Sequence, residues 1–317
     1  MESERSRAST YFRLVLAVLG CGLLAYIVES VGARALYDTL RPAVAWLPLL
    51  CAVEAVRIAF EALASRFAFG SLAPKIPTST LYRAHVIGQS LGALAPAPRV
   101  VNETIKVGLL APFVGATAAT AVGVVNQAAT LIAGGLFSIP CGIAMVLLGG
   151  DRIWLWGAGI HAVWLVSTGL GLRAISRSDK IANWLARKLP RFSDRILAFR
   201  NHGDEVGFFA AGPALSMMCG RACQALQYGI AAHAVGIHVG FLGALAAEGV
   251  NLIATAIGVF IPGGVGTTDG AFTLAAGLLS TTVMRTTALA LLMRGLQIVW
   301  LPIGSAAALI RAPKPIE

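Results

Sequence analysis

The chain has 317 residues, 57% of them hydrophobic and 13% charged, with a mean hydropathy of +0.76 and a formal net charge of +10. A soluble domain carries about 25% charged residues, so this composition excludes a soluble catalytic domain and points to one polytopic integral membrane domain over residues 1–317. The excess of Lys and Arg lies in loops, where the positive-inside rule accounts for it without nucleic acid as a partner.

The opening stretch MESERSRAST leads into an apolar run with no small-residue cleavage pattern, so 12–30 is expected to be a retained first span. A second span, 43–65, carries Glu54, Arg57 and Glu61 at i, i+3 and i+7, which puts all three on one helix face. Glu54 and Arg57 are close enough to pair, and a structural pair and a functional set both remain open readings. Residues 79–95 are helical and apolar, break at Pro96 and Pro98, and resume at 99–110. The nearly uncharged 114–148, interrupted at Pro140, forms one long span or a span plus a short helix. The next span, 153–172, offers Trp154, Trp156 and Trp164 as interface anchors.

Residues 173–200 differ from everything before them. They hold eight Lys or Arg and two Asp, with Ile181, Trp184, Leu185 and Leu189 at helical spacing. This reads as a basic amphipathic helix lying on an anionic lipid surface, or as a solvated loop that sets topology. Either reading places it in the cytoplasm. Apolar spans follow at 206–235 and 240–260, then the stretch FIPGGVGTTDGAF at 260–272, then 270–283 and a last span at 287–309.

With the basic segments and both termini inside, 79–110 must enter from the cytoplasmic face and return, and 240–283 must enter from the opposite face and return. The two breaks match: each has a Pro, six residues and then a carboxylate, from Pro96 to Glu103 and from Pro262 to Asp269. The expected fold is therefore all-α, with two inverted repeats (about 43–150 and 206–310), each holding a re-entrant broken-helix hairpin. Pro removes a helical hydrogen bond and Gly loosens the backbone, and unpaired backbone groups are tolerated in a membrane only inside protein or beside a watered cavity. Broken helices in such repeats frame sites near the midplane, so Asp269 is expected to face a polar cavity.

Intramembrane charges are costly and mark function or mutual pairing. The chain has Glu54, Arg57, Glu61, Arg99, Glu103, Lys106, Arg221, Glu248, Asp269 and Arg294. The substrate-binding set expected from these and from the breaks is Arg99, Glu103, Lys106, Pro262, Gly263, Gly264, Gly266, Asp269 and Arg294. No catalytic residue, metal ligand or cofactor is expected. GGVGTTDG lacks the Lys of a phosphate-binding loop, and there is no H-E-x-x-H. The five scattered Cys read as core thiols, and His85 as a packed histidine.

Three motifs carry a family resemblance: PAPRVVNETIK at 96–106, PGGVGTTDG at 262–270 and R-G-L-Q-x-x-W-x-P-x-G at 294–304. Together they resemble the membrane domain of the lysylphosphatidylglycerol synthase family over about residues 10–310. Among its stand-alone members, the hopanoid-associated membrane protein is the one the chain resembles. Asn102 stands where the family has Gly, Asn126-Gln127 where it tends to have Glu-Arg, and Asp269 where it often has Glu. The resemblance implies lipid translocation, as a flippase in the bacterial cytoplasmic membrane, without aminoacyl transfer because the synthase domain is missing. The partner it implies is a membrane lipid, a phospholipid or a hopanoid. A homo-oligomer or a lipid-biosynthesis enzyme is a further expected partner. Two alternatives stand beside it: an intramembrane enzyme acting on a lipid-linked substrate, and a non-catalytic partner of a lipid-modifying complex.

Overall fold

A computed structural model describes residues 28–93, 98–205, 210–258, 261 and 264–310, with 22, 25 and 26. Among the described residues the regular structure is entirely helical. Most of the expected first span, 12–30, lies outside them. Four helical stretches, Ala33–Lys75, Ala116–Leu147, Arg152–Arg177 and Val283–Leu309, are long and apolar enough to cross a membrane, and Phe241–Ile257 is a shorter apolar helix.

Helix α1 (Ala33–Ala43) turns through Val44–Trp46 into α2 (Leu47–Phe69). The first expected hairpin comprises α3 (Thr78–Gly92) and α4 (Pro98–Val114), which pack on each other. The open question at 114–148 resolves into one helix, α5 (Ala116–Leu147), with Pro140 inside it. Its buried face continues on both sides of Pro140, and that packing outweighs one missing hydrogen bond.

Helix α6 (Arg152–Arg177) makes the most extensive interface of the fold, with α5. Glycine explains the closeness. A Cβ at Gly135 of α5 would sit 2.8 Å from the carbonyl oxygen of Ala162, and one at Gly169 of α6 would sit 2.9 Å from that of Ala128. Each backbone thus uses the other's missing side chain, the small-residue packing that serves membrane helices in place of a hydrophobic driving force. The opposite faces of α5 and α6 expose Ile139, Ile143, Ile153, Trp156, Ile160, Val163 and Trp164, an apolar surface suited to lipid.

The expected single basic helix at 173–200 is instead a helical hairpin. Ser178 accepts a hydrogen bond from the Ile181 N–H and caps α7 (Asp179–Lys188), and a turn at Pro190–Phe192 leads into α8 (Ser193–Glu205). Pro190 cannot donate a backbone hydrogen bond, so the helix stops there. Arg200 ties the hairpin back to Asp179 at 2.9 Å, and α8 lies against α5 and α6.

The second half contains α9 (Ala211–Ala234), α10 (Phe241–Ile257), the short α11 (Thr267–Leu274) and α12 (Val283–Leu309). Its packing reciprocates that of the first. Helix α2 lies on α9, α3 lies on α12, and α10 lies on α5. The central core of α2, α9, α10, α11 and α12 includes Leu50, Ile58, Tyr228, Val250, Phe272 and Leu289. There Tyr228 and Phe272 stack at 5.4 Å between ring centroids.

Candidate functional site

The second break is built around Asp269. Gly264 (φ 59°) and Gly266 (φ 83°) occupy the left-handed region, which costs other residues about 1–2 kcal/mol. This turn lets the Gly266 N–H donate to Asp269 Oδ2 at 2.9 Å, fixing the start of α11. Arg294 of α12 grips the same carboxylate with Nε on Oδ1 at 3.0 Å and Nη2 on Oδ2 at 2.6 Å. Nη2 also donates to the Gly264 carbonyl at 3.0 Å. Asp269 has no exposed surface. In place of the expected outlook on a polar cavity, it is sealed in a forked ion pair that staples the loop to α12. Pro262 and Gly263 of the expected set lie outside the described residues.

The first break is looser. Pro96 lies outside the described residues, and the half-buried Arg99 opens α4. One turn on, Lys106 Nζ donates to Glu103 Oε1 at 2.6 Å. Lys106 is nearly fully buried, whereas the Glu103 side chain keeps a fifth of its surface exposed. The pair borders a cavity of about 10 Å³, enough for one water, lined also by Ser65, Asn126 and Gly123. The sequence-expected residues therefore form two separate sites, Glu103 with Lys106 and Asp269 with Arg294.

Helix α2 carries a third charged group, and the open question about Glu54 and Arg57 resolves into pairing. Arg57 donates from Nε to Glu54 Oε2 at 2.8 Å and from Nη2 to Oε1 at 2.6 Å, while Nη1 pairs with Glu61. Gln227 of α9 donates to Glu54 Oε2 at 2.9 Å. On the far side, Asn126 Nδ2 donates to Ser65 Oγ at 2.6 Å, which leaves the serine proton for His85 Nε2 at 2.7 Å. The imidazole proton then sits on Nδ1, facing Glu61 Oε2 at 3.9 Å. These polar side chains join α2, α3, α5 and α9 and end at the cavity beside Glu103. His85 is the packed histidine the sequence suggests, hydrogen-bonded to Ser65 and facing Glu61.

A fourth group, Arg221 of α9 and Glu248 of α10, was outside the expected binding set. Arg221 Nη1 lies 3.5 Å from Glu248 Oε1 but donates at 2.8 Å to Gln224 Oε1. Glu248, with no exposed surface, takes one hydrogen bond on its other oxygen, from Asn251 Nδ2 at 3.1 Å. The sequence signal was present, since both are charges inside apolar helices. Neither sits at a backbone break, the feature that drew attention to Glu103 and Asp269. Arg99 lies within electrostatic reach of both Arg221 and Glu61. The described cysteines, Cys51, Cys141, Cys219 and Cys223, are free thiols.

Among the described residues the buried charges are Glu54, Glu248 and Asp269 with Arg57, Lys106 and Arg173, while Glu61, Arg99, Glu103, Arg221 and Arg294 are partly buried. The sequence profile of a family described as the lysylphosphatidylglycerol synthase TM region matches residues 12–304, nearly the whole chain. The chain belongs to this family. No curated protein and no solved structure matches it. Membership agrees with the apolar helices in making this a multi-pass membrane protein of a lipid-related family.

Proposed function

We propose that the protein is a lipid transporter of the flippase kind, moving the headgroup of a membrane lipid through its polar interior while the acyl or polycyclic part stays in the bilayer. The observation that carries this reading is the set of ionisable side chains of both signs in the interior of a helical protein whose outer faces are apolar. Charges at such depth are retained for a ligand path or for one another. Here they leave one ion pair, Glu103 with Lys106, bordering a cavity and partly exposed. Arg99 and Lys106 suit an anionic headgroup, and Glu103 suits a cationic one. The reciprocal packing of the two halves supports a pair of inverted repeats, with α3–α4 and α10–α11 as their re-entrant hairpins. We place both termini and the basic hairpin α7–α8 on the cytoplasmic side of a bacterial inner membrane. There Lys180, Arg187, Lys188, Arg191 and Arg195 face an anionic surface alongside the exposed Trp184 and Phe192. No chemical step on the lipid is part of this reading.

The test is redistribution of labelled lipids in sealed proteoliposomes holding the purified chain. Glu103→Gln is expected to slow translocation about tenfold or more, the equivalent of about 1.4 kcal/mol, while the protein stays folded. Wild-type protein that moves no lipid in any class overturns the proposal, and a chemically altered lipid replaces it with an enzyme.

A further inference from the structure

Glu248 and Asp269 are both completely buried carboxyls in the second half of the chain, but their surroundings differ in kind. Each oxygen of Asp269 receives a guanidinium N–H, and one receives a backbone N–H as well. Oε1 of Glu248 has no hydrogen-bond partner. The one cation near it, Arg221 Nη1 at 3.5 Å, spends its short hydrogen bond on Gln224. A buried carboxylate with one bare oxygen is an expensive species, and a neutral carboxyl in the same place costs far less.

The neighbours from each packed helix leave this balance unaltered. From α9 come Arg221 and the neutral phenol of Tyr228, and from α5 comes the thiol of Cys141. Arg57 of α2 acts at a distance and is already held by two carboxylates. On α11, Asp269 is held by Arg294, and on α6, His161 Nδ1 is engaged by Ser138 Oγ at 2.8 Å. Asn251, on α10 itself, holds only the other oxygen, Oε2.

We propose that Glu248 is a proton-binding site, occupied by a proton in the arrangement described, and that Arg221 is the arm that reads its state. Binding adds one proton from water to Oε1 and makes the carboxyl neutral, which frees Arg221 to donate to Gln224. Release returns that proton to water and leaves a carboxylate, which draws Arg221 across the 3.5 Å gap and off Gln224. Because Arg221 and Arg99 lie within reach of one another, the swing alters the field at the first hairpin. Use of this proton to drive lipid movement rests on the transporter reading; binding of the proton does not.

The first measurement is infrared spectroscopy of the full chain in nanodiscs, carrying ¹³C-labelled glutamate, titrated from acid to alkaline pH. The expected result is a protonated-carboxyl band that shifts with the label, fades as pH rises and is absent from Glu248→Gln. Should that variant not fold, Glu248→Asp moves the band from glutamate-labelled to aspartate-labelled samples. A wild-type protein without the band, or a Glu248→Gln or Glu248→Asp protein that keeps the glutamate band, overturns the proposal. In proteoliposomes, an imposed proton gradient is expected to change the wild-type lipid flux and leave that of Glu248→Gln unchanged. A flux indifferent to the gradient, with the infrared band present, overturns the coupling role alone. Absence of flux in every condition overturns the transporter reading and leaves the proton site standing.

Discussion

The two backbone breaks start from the same sequence device, a Pro and a carboxylate separated by six residues, and end in opposite states. At the second, Asp269 is closed off by Arg294 and by the turn it caps, so the loop, α11 and α12 are fastened together. At the first, Glu103 holds a single ammonium group from its own helix and borders a cavity. A carboxylate paired across helices joins elements, whereas one paired within its helix at i, i+3 leaves its helix free to shift and its outer face open to a ligand. The shared Pro-to-carboxylate spacing does not decide a role here; the reach of the partner does.

Three substitutions, read as stability in detergent, press on this contrast. Arg294→Ala leaves a buried, uncompensated charge on Asp269 and is expected to cost about 3–5 kcal/mol. Lys106→Ala removes the matching cation at the first break, where the cavity lets water reach Glu103, and is expected to cost about 1–3 kcal/mol. Equal losses would mean that the breaks are equally closed and would remove the contrast. Gly266→Ala keeps every side-chain bond and strains only the turn, for an expected cost of about 1–2 kcal/mol. A cost well below that range would show that the loop tolerates another path, and that Arg294 alone holds it.

Local rules carried much of the fold into the sequence. The apolar runs predict α5, α6 and α12, and the two Pro-to-carboxylate breaks locate Glu103 and Asp269, because hydropathy and helix breaking depend on neighbours along the chain. Partner choice is not local. Glu54 takes a hydrogen bond from Gln227, 173 residues away, and Ser65 takes one from Asn126, 61 residues away. No spacing along the chain announces either. The same limit keeps Glu248 and Arg221 out of the expected binding set, although both stand out as charges in apolar helices, because only the packing of α9 on α10 brings them together. The basic segment reads as one helix because its apolar residues keep helical spacing up to Leu189, while the pairing of Arg200 with Asp179 that closes the hairpin beyond Pro190 spans 21 residues.

The neutrality of the pairs Glu103–Lys106 and Asp269–Arg294 has a consequence for how the molecule meets the membrane potential. A motion that carries these pairs as units transfers no net charge through the electric field, so the potential does no work on it. A proton on Glu248 adds one positive charge to whatever moves with it. The field then has a handle of about 2.3 kcal/mol per 100 mV if that charge crosses the full membrane, and proportionally less for a shorter path. On the proposed loading of Glu248, the charge on which the field acts therefore differs by one between the loaded and the empty protein.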